Sequence, residues 1–329
     1  MKSQNISKKI LYWYDNNKRQ LPWRNHTSQK QRQYYTLVSE IMLQQTQVKT
    51  VIPYFENFIK KIPDIAKLSK VSNKKLMKCW EGLGYYSRAI NLKKTAQKII
   101  KEYKGKLPRN INQLKSLPGI GDYTSAAIMA IAFNKPFIPL DGNVERILKR
   151  VFYLIKYKEI NKKYLVKKKI FFGHSNRSSD YAQAIMEIGA LICKPTKPLC
   201  LECPIKENCT SYKKNNFEIR SNYKFNKIKY FEAYVFINKN RYQLVKNNKF
   251  NFLKNLLIFP MREINKQKFQ SSINKRINVK MSNMDMKIVI NKKNKKNIIK
   301  NSFLLDKDNI KNYILPSFTK KIFKSAINY

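Results

Sequence analysis

The most constraining feature of this 329-residue chain is a short turn, Leu-Pro-Gly-Ile-Gly at residues 117–121, between two segments that favour helices. Pro118 disfavours a helical conformation in the residue before it, and Gly119 adopts positive φ freely, so the first helix ends here. We predict that the next helix covers residues 123–133. Backbone N–H groups at a glycine-rich turn that opens a helix bind anions, and a nucleic-acid phosphate fits such a site.

The charge of the chain favours a polyanionic partner. It has 68 Lys and Arg residues against 20 Asp and Glu residues, a formal net charge of +48, which suits nucleic acid. Lysine and asparagine are abundant throughout, for example at residues 291–296, so the charge does not locate a binding surface. The sequence has no apolar run long enough to cross a bilayer and no signal-peptide pattern, so we expect a cytoplasmic protein with no membrane partner.

Two carboxylates stand where a general acid and a stabilising charge are useful. Residues 34–60 form a strong helical pattern, and Glu40 lies near the edge of its apolar stripe. Partial desolvation there raises the pKa of a carboxyl group, as a general acid at neutral pH requires, although an exposed helical glutamate is the alternative. Asp141 follows the apolar residues 137–140 and precedes a flexible glycine.

Three polar and aromatic segments favour contacts with nucleic acid. Residues 44–47 are uncharged and polar, and they are suited to bonding base edges. Residues 19–24, Arg-Gln-Leu-Pro-Trp-Arg, offer a flat ring flanked by two cations, although a tryptophan packed under a rigid turn explains the same segment. Residues 80–89 carry two glycines and two tyrosines, and an aromatic ring presented on such a loop can act as a wedge between bases.

Four of the five cysteines form the most specific motif. Cys193, Cys200, Cys203 and Cys209 have the spacing C-x6-C-x2-C-x5-C, with prolines in the intervening loops. Four closely spaced thiolates can surround one site, and their chemistry allows either zinc or an iron–sulfur cluster. In a reducing compartment such ligation is favoured over disulfides.

The pattern changes after the cysteines. Residues 211–228 are polar and basic, and we predict that they form a linker to a second domain, 229–329. Within that domain, residues 231–237 and 242–245 alternate like strands around a turn at 238–240. This predicts a β-hairpin in an α+β module.

Together these motifs resemble those of the MutY-type adenine DNA glycosylases, in the helix-hairpin-helix superfamily that includes endonuclease III. The resemblance is carried by the hairpin, the cysteine spacing, Ser-Glu-Ile-Met-Leu-Gln-Gln-Thr-Gln-Val at 39–48, Gly-Leu-Gly-Tyr-Tyr-Ser-Arg at 82–88 and Leu-Asp-Gly-Asn-Val at 140–144. It implies a mostly α fold with a [4Fe-4S] cluster loop, plus a C-terminal α+β Nudix-like domain. The implied catalytic domain covers residues 1–210, with a helical barrel over about 27–137 and a cluster subdomain made of 1–26 and 138–210.

The resemblance also implies a reaction, the removal of adenine mispaired with 8-oxoguanine or guanine in double-stranded DNA. We expect a monomer that acts on nucleoid DNA. Glu40 would protonate the adenine, while Asp141 would stay ionised and stabilise the positively charged sugar. Tyr123 and Asn143 would support the sugar and the attacking water. The other implied residues are Arg19, Trp23, Arg24 and Gln183 in the adenine pocket, Gln44, Gln45, Tyr85, Arg88, Gly119, Gly121 and Ser282 on DNA, and Cys193, Cys200, Cys203 and Cys209 on the cluster.

Two departures from the superfamily pattern refine this expectation. Endonuclease III carries a Schiff-base lysine two residues after the last glycine of the hairpin; Tyr123 stands there in this chain, and a phenol cannot form that imine, so a monofunctional glycosylase is implied. The Phe-Ser-His loop that reads 8-oxoguanine matches Met-Ser-Asn at 281–283, which keeps only Ser282, so we expect weak discrimination between 8-oxoguanine and guanine.

Two other functions are compatible with the motifs. One is a bifunctional glycosylase/lyase, against which Tyr123 argues. The other is a non-catalytic iron–sulfur DNA-binding protein, against which the joint presence of Glu40 and Asp141 argues.

Overall fold

The computed structural model describes residues 2–157, 160–219, 227–238, 240–281, 284–294, 302–307, 313 and 315–327. The chain forms two compact units. The first unit is Met1–Val71 with Ser87–Asn222, and the second is Ser72–Tyr86 with Tyr223–Tyr329. The domain boundaries expected at 210 and 229 stay predictions, and residues 72–86 group with the C-terminal residues.

The described residues are mostly helical up to residue 213. In chain order the helices are α1 Lys2–Asn17, α2 Gln29–Leu43, α3 Val48–Lys61, α4 Ile65–Lys70, α5 Asn73–Trp80, α6 Ser87–Tyr103, α7 Ile111–Lys115, α8 Asp122–Phe133, α9 Gly142–Val151, α10 Lys162–Lys168, α11 Ser178–Leu191, α12 Thr210–Lys213, α13 Lys266–Ser271 and α14 Ser317–Ile327. Short 3-10 turns lie at Pro22–Arg24, Leu154–Lys156, Lys169–Phe172, Cys200–Glu202 and Lys206–Asn208. None of the helices in the described residues is long and apolar enough to cross a membrane.

Side-chain caps start many of these helices. Ser28, Asp64, Ser72 and Asn110 each accept a hydrogen bond from a backbone N–H in the first turn of the helix that follows. Such a cap satisfies N–H groups that have no partner inside the helix.

The apolar faces of α1, α9 and α11 form one core of the first unit, built from residues that include Ile10, Leu148 and Ile185.

The hairpin has the predicted form. Helix α7 is followed by the Pro-Gly turn, Gly119 has a φ of +79°, and α8 covers the predicted helix at 123–133. A Cβ atom at Gly119 would lie 3.0 Å from Cβ of Asn91. Both observations favour glycine at this position.

The single helical pattern expected over 34–60 was wrong in one respect. Two helices, α2 and α3, occupy it, and residues 44–47 form the connection between them. Gln45 has a φ of 57°, in the left-handed region. The polar residues 44–47 therefore lie on a loop and not on a helical face.

The second unit contains a mixed seven-stranded sheet. Its strands are β1 Lys227–Asn238, β2 Arg241–Lys246, β3 Leu257–Ile258, β4 Met261–Ile264, β5 Arg276–Met281, β6 Met284–Asn294 and β7 Ser302–Asp306. The order is β3-β2-β1-β6-β5, with β4 paired to β1 and β7 to β2. Strands β1 and β6 are parallel and the other pairs are antiparallel.

The predicted strands are confirmed as β1 and β2, which pair antiparallel at Ile237–Tyr242 and Asn238–Arg241. Residue 239, in the predicted turn, lies outside the described residues. Alternate residues of β1 point into the core, and Phe231, Ala233 and Val235 are fully buried. Helix α14 packs into the same core through residues that include Phe318 and Ile322. The C-terminal α+β module is therefore confirmed.

Candidate active site

Helix α2 holds Glu40 in the interior of the first unit. The residue is 5% exposed, so it lies deeper than the edge position expected from the helical pattern. Its Oε2 atom is buried and has no hydrogen-bond partner among the described residues. Burial raises the pKa of Glu40 to about 7, with a smaller increase from Asp141, while a hydrogen bond from Tyr123 and the charge of Arg24 oppose the change. A carboxyl group with this pKa exists in both protonation states near neutral pH.

Tyr123 is the second residue of α8 and lies close to Glu40. Its hydroxyl donates a hydrogen bond to the sulfur of Met186 at 3.6 Å. Burial and the two nearby carboxylates raise the pKa of Tyr123 well above its ordinary value, so it stays a neutral donor. The hairpin positions this side chain because α8 begins immediately after Gly121.

Asp141 caps the N-terminus of α9. Its Oδ1 accepts a 2.7 Å hydrogen bond from the N–H of Val144, and its Oδ2 accepts a 2.8 Å bond from the amide of Asn143. Burial raises the pKa of Asp141, while these donors lower it. The two carboxylates thus differ, since Glu40 has an unsatisfied oxygen and both oxygens of Asp141 accept hydrogen bonds.

Arg146 and Gly189 hold Asn143 in place. The guanidinium of Arg146 donates to Oδ1 of Asn143 at 2.8 Å and to the carbonyl of Gly189 at 2.6 Å. A Cβ atom on Gly189 would lie 2.4 Å from Cβ of Asn143. Helices α9 and α11 can approach this closely only because residue 189 has no side chain.

The residues predicted for the adenine pocket meet at a buried glutamate that sequence reasoning missed. Glu187, on α11, is 1% exposed and accepts 2.7 Å bonds from both Arg19 and Arg24. Arg24 also donates to Gln183 at 2.7 Å. A signal was present in the sequence, because Glu187 is the one acidic residue of an otherwise apolar run at residues 184–192.

Trp23 packs edge-to-face on Phe55, with 5.5 Å between ring centroids. This contact fits the packing alternative considered for the segment. Trp23 nevertheless keeps part of its surface exposed, and its ring contributes to the wall of the cavity described next.

One cavity of about 1660 Å³ brings together the residues predicted for catalysis and for the adenine pocket, with two of the residues predicted to contact DNA. Its volume exceeds that of ordinary small-molecule pockets. The lining includes Glu40, Tyr123, Asp141 and Asn143, together with Arg19, Trp23, Arg24, Gln183, Gln44 and Gln45. The sequence predictions for the catalytic group and the pocket thus describe one continuous surface.

The loop at 44–47 is fixed on one side and exposed on the other. Gln44 donates through its amide to the Gly119 carbonyl and to the Thr124 hydroxyl, both at 3.2 Å. Gln45 is exposed, with its backbone in the left-handed region. A non-glycine residue held in this region carries strain, which is common at sites that bind ligands.

The prediction that Arg88 contacts DNA needs a correction. Arg88 is 7% exposed, and its guanidinium donates to the carbonyls of Ile41, Met42 and Gln44 at 3.1, 2.7 and 2.5 Å. A cation is stabilised at the C-terminal carbonyls of a helix. Arg88 therefore ends α2 and supports the loop at 44–47 from behind.

The two hairpin glycines differ in their surroundings. Gly119 is closely packed, as described above, whereas Gly121 has an extended backbone with φ of −95°. No described atom lies within 4 Å of the position that a Cβ would take on Gly121. The N-terminus of α8 is thus open on that side.

Tyr85 belongs to the second unit. It is 42% exposed, and its φ of 47° places it, like Gln45, in the left-handed region. Gly82 and Gly84, on the same loop, also have positive φ. The loop is therefore a tight, shaped turn that presents a tyrosine.

The four clustered cysteines are neighbours. Burial, with smaller contributions from the charges of Cys193, Cys209 and Cys200, raises the pKa of Cys203 to about 12. Arg150, which is 2% exposed, donates to the Cys193 sulfur at 3.3 Å and to the carbonyls of Lys194 and Pro195. Within the described residues, no three His, Cys, Asp or Glu side chains are arranged to hold a single metal ion.

Ser282, predicted to contact the base opposite the target, lies outside the described residues, as does Asn283. The described residues on either side are Met281, at the end of β5, and Met284, at the start of β6. The prediction for Ser282 stays untested.

Comparison with known proteins shows the family of the chain. Residues 38–169 match the HhH-GPD superfamily of base excision DNA repair proteins. A thermostable thymine-DNA glycosylase of known structure superposes with a TM-score of 0.57 and 28% identity, covering 65% of this chain and 97% of the other. Endonuclease III in a non-covalent DNA complex superposes with a TM-score of 0.53 and 22% identity over 65% of this chain and 98% of its own, which supports the fold.

A relative that aligns with most of the chain identifies the family within this superfamily. An adenine DNA glycosylase of Buchnera aphidicola subsp. Schizaphis graminum is 38% identical over 264 residues, which cover 78% of this chain and 74% of that protein. The chain therefore belongs to the adenine DNA glycosylase family of the HhH-GPD superfamily.

Proposed function

We propose that this chain is a monofunctional DNA glycosylase that removes adenine mispaired with 8-oxoguanine or guanine and leaves an abasic site. The observation that carries the proposal is the pair of carboxyl groups on one cavity, the buried Glu40 and the partly buried Asp141. They have different hydrogen-bond environments. Cleavage of an N-glycosidic bond needs one group to donate a proton and another to stabilise positive charge on the sugar.

Glu40 is the proton donor in this mechanism. Its pKa of about 7 keeps a proton available at neutral pH. Its Oε2, which has no partner among the described residues, can donate that proton to a ring nitrogen of adenine, which we expect to be N7. Protonation makes the base a better leaving group. The nearby hydroxyl of Tyr123 can hydrogen-bond to the carboxyl group and orient it during this step.

Asp141 supplies the negative charge. The N–H of Val144 and the amide of Asn143 favour its ionised form, and the carboxylate stabilises the sugar as the bond to adenine breaks. Asn143 is held by Arg146 and can place the water that attacks the sugar. The reaction is a hydrolysis, in which one water adds across the cleaved bond.

The pocket wall suits a flipped purine. Trp23 offers a partly exposed aromatic face on which a base can stack, a contact worth about 1–3 kcal/mol. Arg24 and Gln183 form a hydrogen-bonded pair whose polar atoms can meet the edge of the base. Glu187 balances the charge of Arg19 and Arg24, so the pocket is polar without a large excess of positive charge.

Tyr123 supports a monofunctional reaction. An amine at this position could attack the sugar and form an imine, but a phenol cannot. The abasic product would therefore keep its strand intact.

We also propose that the four cysteines hold a [4Fe-4S] cluster. The donor set fits, because the thiols of Cys200, Cys203 and Cys209 have raised pKa values and ionise readily only when a metal centre supplies positive charge. When bound, such a cluster supplies iron–thiolate bonds that fix the loop over residues 193–209.

The C-terminal α+β module would then read the base opposite the adenine, as a Nudix-like domain does in the family. Ser282 is the residue that we propose for this contact. The partner is double-stranded DNA of the nucleoid, in the cytoplasm, and we propose that the protein acts as a monomer.

The decisive experiment measures base release from duplexes that contain one A:8-oxoguanine or A:G pair, with and without alkali. We expect strand breaks only after alkali treatment, and no breaks with the Glu40→Gln variant, which should still bind the duplex. Breaks without alkali would identify a glycosylase/lyase. Failure of the cluster-loaded wild-type protein to release adenine from either duplex would refute catalysis and favour the DNA-binding alternative.

A further inference from the structure

The second unit joins two distant parts of the chain through one carboxylate. Glu81 follows helix α5, and its side chain is 8% exposed. Its Oε1 accepts a 2.8 Å bond from Nζ of Lys320 and a 3.2 Å bond from the backbone N–H of Leu315. Its Oε2 accepts a 2.7 Å bond from Lys78.

Two of these partners lie at or just before the start of helix α14. Leu315 precedes the helix by two residues and is fully buried, and Lys320 lies in its first turn. A carboxylate is stabilised near the N-terminus of a helix. Glu81 thus ties the start of α14 to a residue more than 230 positions earlier in the chain.

Residues 81–86, which we call the Tyr85 loop, are shaped by hydrogen bonds from neighbouring residues. The indole of Trp80, which is fully buried, donates to the carbonyl of Gly84 at 3.1 Å. The N–H of Gly82 donates to the hydroxyl of Tyr86 at 3.4 Å. Tyr85 stays 42% exposed at the tip.

We propose that Glu81 is a positioning residue, whose carboxylate fastens the Tyr85 loop to the start of α14 and so fixes where Tyr85 meets DNA. The inference rests on the proposed function, in which Tyr85 enters the base stack as a wedge. A wedge must be held rigidly, because unstacking bases costs a few kcal/mol and a loose side chain would move aside. The C-terminal residues thereby contribute to DNA recognition through Glu81 as well as through any contact of their own.

The sign of the effect separates this proposal from simple electrostatics. Removal of a carboxylate makes a basic protein more positive, which by itself strengthens binding to DNA. If the Glu81 carboxylate holds the Tyr85 loop in place, its removal should instead weaken binding to DNA. A Glu81→Gln variant should therefore bind a duplex with one A:8-oxoguanine pair more weakly, by about fivefold or more, the usual lower range for coupling between sites.

The affinity measurement is made in the full-length Glu40→Gln background, so that the duplex stays intact. A double-mutant cycle that combines Glu81→Gln with Tyr85→Ala provides the critical comparison. If Glu81 acts through Tyr85, Glu81→Gln weakens binding only when Tyr85 is present. An equal loss in the Tyr85→Ala background, or no loss in either, would overturn the proposal.

A second variant guards against a folding defect at Glu81. Lys320→Ala removes one partner of the carboxylate, and Lys324→Ala removes the same charge from an exposed position on the same helix. We expect the Lys320 variant to lose about fivefold more affinity than the Lys324 control. Equal losses would mean that only charge matters and would also overturn the proposal.

Amide hydrogen exchange tests the fastening without DNA or catalysis. Exchange at residues 82–86 should quicken about fivefold or more in Glu81→Gln, since the loop opens locally. Unchanged exchange there would contradict the fastening even if affinity changed. Absence of base release by the wild-type protein would instead refute the proposed function, while the exchange result would still decide the role of Glu81.

Discussion

Replacement of Glu40 by glutamine should abolish base release and, at alkaline pH, make the protein more stable. The folded protein holds the Glu40 proton more tightly than the unfolded chain does, since burial raises its pKa from 4.5 to about 7. The stability associated with this proton is fully present below the unfolded value of 4.5. It is lost as the pH rises through about 7, because the folded protein must then bury a charge.

The magnitude follows from the two pKa values. At about 1.4 kcal/mol per pH unit, the difference corresponds to about 3 kcal/mol above pH 8. Glutamine is neutral at every pH and nearly the same size, so it avoids this cost. Its amide adds one buried donor near the position of Oε2, which has no partner among the described residues. The unsatisfied amide donor costs about 1 kcal/mol or more. We therefore expect the free energy of unfolding of Glu40→Gln to exceed that of the wild type by about 1–2 kcal/mol at high pH.

The assay is urea unfolding of the wild-type protein and the variant at about pH 5 and about pH 8.5, on either side of the titration. Tryptophan fluorescence reports on the first unit through Trp13 and Trp23. The advantage of Glu40→Gln over wild type should grow with pH. Glu102→Gln, at an exposed position on α6, is the control and should show no such growth. A Glu40→Gln advantage that stays constant or shrinks with rising pH would refute the claim that the buried carboxyl group is protonated near neutrality.

Three further predictions concern the reaction itself. The single-turnover rate of base release should fall about tenfold per pH unit above pH 7, because Glu40 loses its proton. The rate should also fall in acid, where Asp141, whose pKa is raised above 3.8, becomes protonated. A rate that rises steadily with pH would exclude Glu40 as the acid. Gly189→Ala should displace Asn143, since the new Cβ would lie 2.4 Å from its Cβ, and should cost about 1–3 kcal/mol of stability together with most of the activity. Gly142→Ala, with no described atom within 4 Å, is the matched control, and equal effects of the two substitutions would contradict this packing. Base release should proceed at nearly equal rates from A:8-oxoguanine and A:G duplexes, because residues 281–283 keep only the serine of the lesion-reading loop. A strong preference for 8-oxoguanine would show that other residues read the lesion.

Local patterns in the sequence predicted the parts of the site that depend on neighbouring residues. The Pro-Gly turn and the apolar run after it gave helix α8, and with it the position of Tyr123. Asp141 precedes a glycine and an apolar helix, and this pattern predicts a functional role for it. Its capping bond to Val144 follows from the same local order of residues. Strands β1 and β2 were recognised from their alternation, since one face of each is buried.

What the sequence could not show depends on contacts between distant residues. Helix α2 ends at Leu43 without a glycine or proline, because the guanidinium of Arg88 satisfies carbonyls at the C-terminus of α2. The full burial of Glu40 depends on helices that pack over it, and the pairing of Glu187 with Arg19 and Arg24 joins segments far apart in the chain. No periodicity within a single segment encodes such pairs.

The chemistry of the site explains why two carboxylates of similar intrinsic acidity take different roles. Asp141 receives a backbone N–H at a helix N-terminus and an amide N–H, so its charge is solvated by the protein. Glu40 lies inside a helix whose own N–H groups are already used, and one of its oxygens has no partner in the described part of the chain. A glutamate with no catalytic role at this position would destabilise the fold at alkaline pH and provide no functional benefit. A DNA-binding protein without catalysis would gain nothing from that arrangement, whereas a glycosylase needs one retained proton beside one retained charge.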